Sequence, residues 1–391
     1  MSTAPEQVLP RSLWALLFGN FVIGTGIMVV PGTLNDISQS LGISIASAGQ
    51  LISASALLVC LGAPIFATLI GNWDRRRLLT LCMVWYGVLL TLCATMPSFA
   101  TLLPLRVLAV IPAAIFTPQA AACVGLLVTP AQRGRAITLV FLGWSVASVL
   151  GMPLASLIGG TLGWRAAFGL IGLLAFASAL WVWRAMPNGI TPPALSRESW
   201  AATFRSKALM LSIAVTVLYS AGQFVLFAYF APYFKMTLKV TPTQLSLLFA
   251  WFGAFGFIGN MLASRYIDRM GPARTVLVCV GSMALSLLVW PLGTSVVLAA
   301  LVCVPWALGC FSSNSAQQAR LVSLFPALAG GSIALNTSAM YAGQAMGAAG
   351  GGWLISIGQR GALHWVGFVG LLAAMAVSVW ASRAQAAPAA S

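Results

Sequence analysis

The sequence predicts an all-α integral membrane protein, with twelve transmembrane helices in two pseudo-symmetric six-helix halves. Three observations carry that prediction. First, 60% of the 391 residues are hydrophobic and only 6% are charged, whereas a soluble domain needs roughly a quarter charged residues to face water. Second, apolar runs of about 20 residues, each long enough to span hydrocarbon, recur from end to end. Third, the second half of the chain replays the first. Asp74 and Asp268 are 194 residues apart, Pro112 and Pro305 193, Gln119 and Asn314 195, and Gly151 and Gly347 196. Inside the apolar runs periodicity is uninformative, because they are apolar all round. They must be helices, since lipid offers the backbone no hydrogen-bonding partner. A β-barrel would need alternating ten-residue segments, which are absent.

In chain order, the spacing of the breaks predicts helices at roughly 12–31, 47–70, 78–96, 100–126, 136–158 and 165–184, then roughly 208–231, 244–263, 274–292, 295–317, 330–356 and 364–382. Arg11 followed by an apolar run has the look of a signal peptide. That run continues to about Val30 without a small-residue cleavage site, so it reads as a retained first helix. Arg184 to Lys207 holds Pro187, Gly189, Pro192, Pro193 and most of the local charge, which marks a linker. The domains are therefore 1–184, a linker at 185–207, and 208–391. Ala384 to Ser391 reads as a frayed end.

The Lys and Arg residues sit in the breaks between spans. With the N-terminus inside, fifteen fall on the cytoplasmic side, Arg320 among them. Only Arg165, Lys235, Lys239 and Arg360 fall on the other, and Arg106 stays within a span. This asymmetry places both termini in the cytoplasm. It also argues that the net charge of +15 is a topology signal and excludes nucleic acid as a partner. The seven cysteines form no CxxC pair or Cys/His cluster, so metal, disulfide and redox roles have no support. One histidine and no P-loop leave no catalytic set and no ATP-driven motor. The chain does not read as an enzyme.

Residues with functional potential lie within the spans. Small residues recur every fourth position at Gly143, Ala147, Gly151, Ala155 and Gly159, and again at Gly343, Gly347 and Gly351. Such strips permit close backbone approach. They serve either static helix packing or a sliding contact between halves. Arg106, in Leu103-Pro-Leu-Arg-Val-Leu, must face a cavity or a partner, or else snorkel outward. Asn20, Thr25, Gln119, Gln223, Asn260, Asn314, Asn336 and Gln344 share helices with Trp144, Tyr219, Tyr229, Trp306 and Tyr341. Amides and aromatics together suit a small-molecule pocket, although each alone also suits an interhelical hydrogen bond. The acids Glu6, Asp36, Asp74, Glu198 and Asp268 all fall outside the expected spans.

The basic loops Gly71-Asn-Trp-Asp-Arg-Arg-Arg77 and Ser264-Arg-Tyr-Ile-Asp-Arg-Met-Gly271-Pro-Ala-Arg274 carry a family resemblance. The second resembles the loop motif Gly-x-x-x-Asp-Arg-x-Gly-x-Arg of the major facilitator superfamily, with Ser264 for the leading Gly. The first is eroded, with Gly71 at the Asp position and Asp74 at the second Gly position. Arg106 resembles the fourth-helix arginine of the proton-antiport group, with Ala109-Val110 where that motif has Gln-Gly. Gly151-Met-Pro153-Leu-Ala155 resembles the fifth-helix antiporter motif, and Gly163-Trp-Arg165 resembles the segment C-terminal to it. Gly42-Ile-Ser and Gly62-Ala-Pro64 resemble the contexts found in twelve-span drug-resistance and arabinose-type sugar-efflux permeases.

The resemblance covers nearly the whole chain. It implies a secondary transporter working by alternating access, exporting small drugs, metabolites or sugars. Asn20, Thr25, Arg106, Gln119, Trp144, Gln223, Asn314, Asn336, Tyr341 and Gln344 would line the cavity. Asp74, Arg75, Asp268 and Arg269 would hold the cytoplasmic gate, chiefly through the second pair. Gly143, Gly151, Pro153, Gly343, Gly347 and Gly351 would mediate packing and conformational change. The implied partners are a small-molecule substrate and the lipid bilayer, with no obligate protein partner. No cofactor is implied beyond possible proton coupling. Some members of that group carry an acid in the first helix near Gly24, which this chain lacks. Uncoupled facilitation or uptake, or a non-transporting sensor on the same scaffold, therefore remain as alternatives.

Overall fold

The structure, a computed structural model, describes residues 10–70, 72–129, 132–191, 197–324 and 328–386. Glu6, Gly71, Pro192, Pro193 and the end of the tail lie outside them. Among the described residues there are helices and no strands. The first half holds α1 (Arg11–Leu41), α2 (Ile45–Leu69), α3 (Arg75–Thr95), α4 (Phe99–Ala109), α5 (Ile111–Leu127), α6 (Arg133–Val146), α7 (Met152–Leu162) and α8 (Trp164–Ala185). After the short α9 (Arg197–Arg205), the second half holds α10 (Lys207–Phe227), α11 (Phe230–Thr237), α12 (Pro242–Met270), α13 (Pro272–Leu288), α14 (Val296–Leu324), α15 (Ala329–Ser356) and α16 (Leu363–Ala386).

Joined across short breaks, α4–α5, α6–α7 and α10–α11 each make one span, and ten spans are long and apolar enough to cross a membrane. Two further helices among the described residues stand where the expected twelve have their other spans: α13, an apolar helix of 17 residues, and α15, whose 28 residues are diluted by Gly, Ala and Ser. Leu61, Leu69, Leu162, Leu173, Val297, Trp353 and Val369 face outward as exposed apolar side chains, as lipid contact requires.

The breaks reflect backbone chemistry. Gly42-Ile-Ser44 is a stop and then a start. Gly42 ends α1 in the left-handed conformation (φ 63°), which glycine adopts without steric cost, and the Ser44 hydroxyl caps α2 by accepting from Ser47 N–H at 3.0 Å. Thr241 and Gln244 start α12 with a reciprocal capping box. Pro112 has no N–H for the Leu108 carbonyl, and the chain breaks between α4 and α5. The freed carbonyl accepts from the Trp85 indole N–H at 2.9 Å. Ahead of Pro153, residues Ala147–Gly151 widen into a π-turn.

Several helices are longer than the sequence predicts, because a hydrophobicity reading ends a helix where polarity rises while hydrogen bonding continues. α1 passes through Pro31 to Leu41, so Asp36, expected outside the spans, lies on a helix. α14 continues to Leu324, and Arg320 is buried in it rather than standing in solvent. Its guanidinium donates to Ser378 Oγ at 3.0 Å and Ser382 Oγ at 3.0 Å on α16. The expected 208–231 helix is α10 and α11, parted at Ala228 and Tyr229. The linker contains α9, which packs on α10 and α15.

Most helices pack within their own half, while α2 packs across onto α15. α1 lies against α6, α7 and α8, and α3 against α8. Correspondingly, α10 lies against α15 and α16, and α14 against α12 and α13. In the second half Phe227, Phe230, Phe249, Phe252, Trp290 and Trp306 form one aromatic cluster, with ring centroids of Phe230 and Trp306 at 5.0 Å. Trp306 and Tyr219 are therefore core residues of that half.

Candidate functional site

Two polar networks at equivalent positions reveal the internal repeat at atomic level. In the first half the Asn20 amide donates to the Val140 carbonyl at 2.9 Å. Its oxygen accepts from Thr117 Oγ1 at 2.7 Å, and Thr117 accepts from the Trp144 indole at 3.3 Å. In the second half Asn336 donates to Asn314 at 3.0 Å and accepts from Thr216 at 2.7 Å. Thr216 lies 196 residues after Asn20, Asn336 196 after Val140, and Asn314 197 after Thr117. The structural counterpart of Asn314 is thus Thr117, two residues from Gln119, which the sequence pairing picked. Each network ties three helices within one half. Replacing Asn336 by Ala should lower stability by about 0.6–1.7 kcal/mol, the range of interhelical hydrogen bonds in membranes, readable as earlier unfolding in detergent.

The glycine strips also close contacts within halves, and the sliding contact between halves is not what they form. A Cβ at Gly143 would overlap the Leu17 carbonyl oxygen, one at Gly151 the Thr25 hydroxyl, and one at Gly159 the Thr33 methyl, all on α1. At Gly343, Gly347 and Gly351 the overlaps are with the Val217, Ala221 and Val225 carbonyl oxygens, all on α10. Thr25 is taken up here, its hydroxyl bonded to the Phe21 carbonyl at 2.8 Å. With little hydrophobic drive between helices in lipid, such close approach is what holds them.

The halves meet elsewhere. Here the side bearing the α1–α2 turn is the far side and the opposite one the near side. On the far side Lys235 of α11 forms an ion pair with Asp36 of α1 at 3.0 Å. Ser246 of α12 donates to the Pro153 carbonyl at 2.9 Å. Gly160 packs on Pro242 and Gly49 on the Tyr229 hydroxyl, while Gly253 meets the Ser148 carbonyl midway along α12 and α2 packs on α15. These seam residues, apart from Pro153, escape a reading for repeats, because each meets a partner on an unrelated helix. Arg165 secures the same side within the first half by donating to Ser40 Oγ and the Met96 carbonyl, both at 2.9 Å.

Just inside this seam, between α2, α4 and α15, lies a cavity of about 10 Å³, room for about one water. Of the ten expected cavity residues, Arg106, Tyr341 and Gln344 come together here, with Ser55 among apolar neighbours. Arg106 is 1% exposed. One of its nitrogens donates to the Gly26 carbonyl at 2.7 Å, while Nε and Nη1 are buried without partners. Its guanidinium lies 5.7 Å from the Phe168 ring. Neither Gln119 nor Gln223 lines it. Gln223 accepts from Cys310 Sγ at 3.2 Å and the Trp306 indole at 3.5 Å inside the second half.

The basic loops sit on the near side. Asp74 caps α3 by accepting from Arg77 N–H at 3.1 Å, and also accepts from Gly189 N–H at 2.6 Å. Arg75 is buried and donates to the Ile70 and Trp73 carbonyls, while Arg76 donates to Asn188 and stacks on Trp183. Through Asp74 and Arg76 this loop binds the start of the linker. Asp268 and Arg269 are exposed, and no ion pair among the described residues joins them to the first half.

This architecture has counterparts among known proteins. The sequence model described as the Major Facilitator Superfamily matches residues 16–337 and 216–391. The chloramphenicol resistance protein of Streptomyces lividans is 32% identical over 72% of each chain. The inner membrane transport protein YdhP of Escherichia coli (strain K12) is 28% identical over 88% of this chain and 89% of its own. Among solved structures, a D-xylose-proton symporter superposes with a TM-score of 0.76 at 16% identity, covering 94% of this chain and 96% of its own. Two internally repeated halves and a seam between them accord with these matches: the chain belongs to the major facilitator superfamily and is a multi-pass membrane carrier, not an enzyme.

Proposed function

We propose that this chain is a secondary transporter that exports small amphipathic molecules by rocking residues 1–184 against 208–391 around the Arg106 cavity, with 185–207 as the tether. The observation that carries the reading is the seam between the halves. They touch through Asp36–Lys235 and Ser246–Pro153 on the far side, through Gly253 on the Ser148 carbonyl, and along α2 and α15, while Asp268 and Arg269 are exposed on the near side. Alternating access requires two such states, and this arrangement has the form of one of them. The cation asymmetry supports a near side that is cytoplasmic in an inner membrane. In the opposite state Asp268 and Arg269 would hold the inner gate. Export is supported by the relative named for chloramphenicol resistance.

The test is accumulation of chloramphenicol, dyes and sugars in pump-deficient bacterial cells, with and without this protein and with and without a proton uncoupler. Export predicts lower accumulation of at least one compound. Loss of that effect on uncoupling would assign proton antiport. A second reading, uncoupled facilitation, is favoured by one observation: among the described residues, no Asp or Glu lines the cavity. It predicts gradients that run down equally from either direction and ignore the uncoupler. No effect on any compound would defeat both.

A further inference from the structure

We infer that α9 and the corner after it form a binding site for anionic phospholipid, with Phe204 seated among acyl chains and Arg205 and Lys207 holding the headgroup phosphate. This needs only the membrane class of the chain, and is independent of what is transported and in which direction. The corner is sharp. Ser206 leaves the helical region (φ −77°, ψ 102°) and its hydroxyl accepts from Leu209 N–H at 3.4 Å, so α9 ends and α10 begins within one residue. α9 then packs against α10 and α15 at their near-side ends. Its inner face is occupied. Thr203 is buried with its hydroxyl where a Cβ on Gly331 would come, and Trp200 covers the cluster of Leu209, Ile213, Leu321, Leu335 and Ala339.

The outer face is free. Phe204 stacks on Trp200 with ring centroids 6.0 Å apart, yet is 54% exposed. Arg205 and Lys207 are exposed beside it, and among the described residues neither has an ion-pair partner. The Trp200 indole N–H is buried without an acceptor. Facing water, an exposed Phe is unfavourable. Where a span enters its bilayer, the same residues have the composition of an interfacial helix, whose aromatic ring reaches the acyl boundary while its cations meet phosphate. Lys207 opens one of the ten spans, which puts α9 at the level of the headgroups. Any phospholipid would cover Phe204, but two neighbouring cations favour one whose phosphate charge is not offset by a cation of its own. Glu198, the acid on this helix, lies in its first turn, away from the corner.

The test uses the full-length protein in nanodiscs of mixed phosphatidylcholine and phosphatidylglycerol, with a photoreactive benzophenone amino acid in place of Phe204. After irradiation, mass spectrometry of the adducts should show phosphatidylglycerol enriched over its share of the bulk lipid. Each cation near an anionic surface contributes roughly fivefold, so the pair predicts an enrichment of about 25-fold at low salt, largely lost in about 1 M salt. Arg205→Gln combined with Lys207→Gln should return the adducts to the bulk ratio. The same probe at Leu173, an exposed position on α8, should give the bulk ratio throughout. Phosphatidylglycerol without enrichment at position 204, enrichment that survives the double substitution, or adducts to protein in place of lipid would each overturn the inference. A chain that shows the enrichment yet exports no compound would keep this site and refute the transport reading.

Discussion

Gly347→Leu should abolish accumulation of folded protein. The Cβ alone would overlap the Ala221 carbonyl oxygen, and the next nearest atoms are the Phe224 Cβ and the Val225 nitrogen. Two of these three are backbone of α10, which cannot swing aside as a flexible side chain does. Overpacking typically costs about 1–3 kcal/mol where side chains can shift, so a loss at or beyond ~3 kcal/mol is expected here. Size-exclusion profiles and thermal unfolding in detergent would measure it. Gly350, on the same helix with nothing within van der Waals reach of a Cβ, is the control, and Gly350→Ala should leave the profile unchanged. A Gly347→Leu protein that is monodisperse with wild-type melting would show that α15 does not need its close approach to α10.

Reversing charge at the far-side seam has the second large effect expected. In Asp36→Lys two cations face each other where the 3.0 Å ion pair now stands, with the side chains only about one-fifth exposed (22% for Lys235 and 19% for Asp36). Like charges at this distance and burial oppose closure. The expected result is roughly a tenfold or greater loss of transport, consistent with removing about 1.4 kcal/mol or more from the closed state. The double variant Asp36→Lys with Lys235→Asp restores an opposite pair and should recover most activity. Spin labels at Leu162 and Thr241, both exposed near the seam, should report a longer distance in Asp36→Lys and the original one in the swap. If the single variant transports normally with an unchanged distance, the pair is not a latch.

The membrane class, the helices and the duplication were legible in the sequence, because lipid imposes length and apolarity on every span regardless of its neighbours. Arg106 could be singled out for a similar reason, since a cation in an apolar run must be accounted for locally. The strip at Gly143, Gly151 and Gly159 announced close packing, yet not with what. A spacing of four specifies a face of one helix, and only the assembled bundle decides that α1 covers it. The same limit applies to Asn20, Asn314 and Asn336. An amide in a span needs a partner, and whether that partner is a neighbouring helix or a substrate depends on distances across the fold.

Asp36 shows the boundary most clearly. By polarity it lies beyond the first helix; by hydrogen bonding it lies on α1, opposite a lysine 199 residues away in the chain. What the sequence by itself determined is what local physics dictates: the spans, their repeat, the sidedness of their charges and the family motifs. Tertiary structure alone decided which groups meet: Asp36 with Lys235, Ser246 with Pro153, and Arg106 with Ser55 and Tyr341. Those meetings are pairings between helices distant in the chain, and such pairings are set by packing geometry that no single segment encodes.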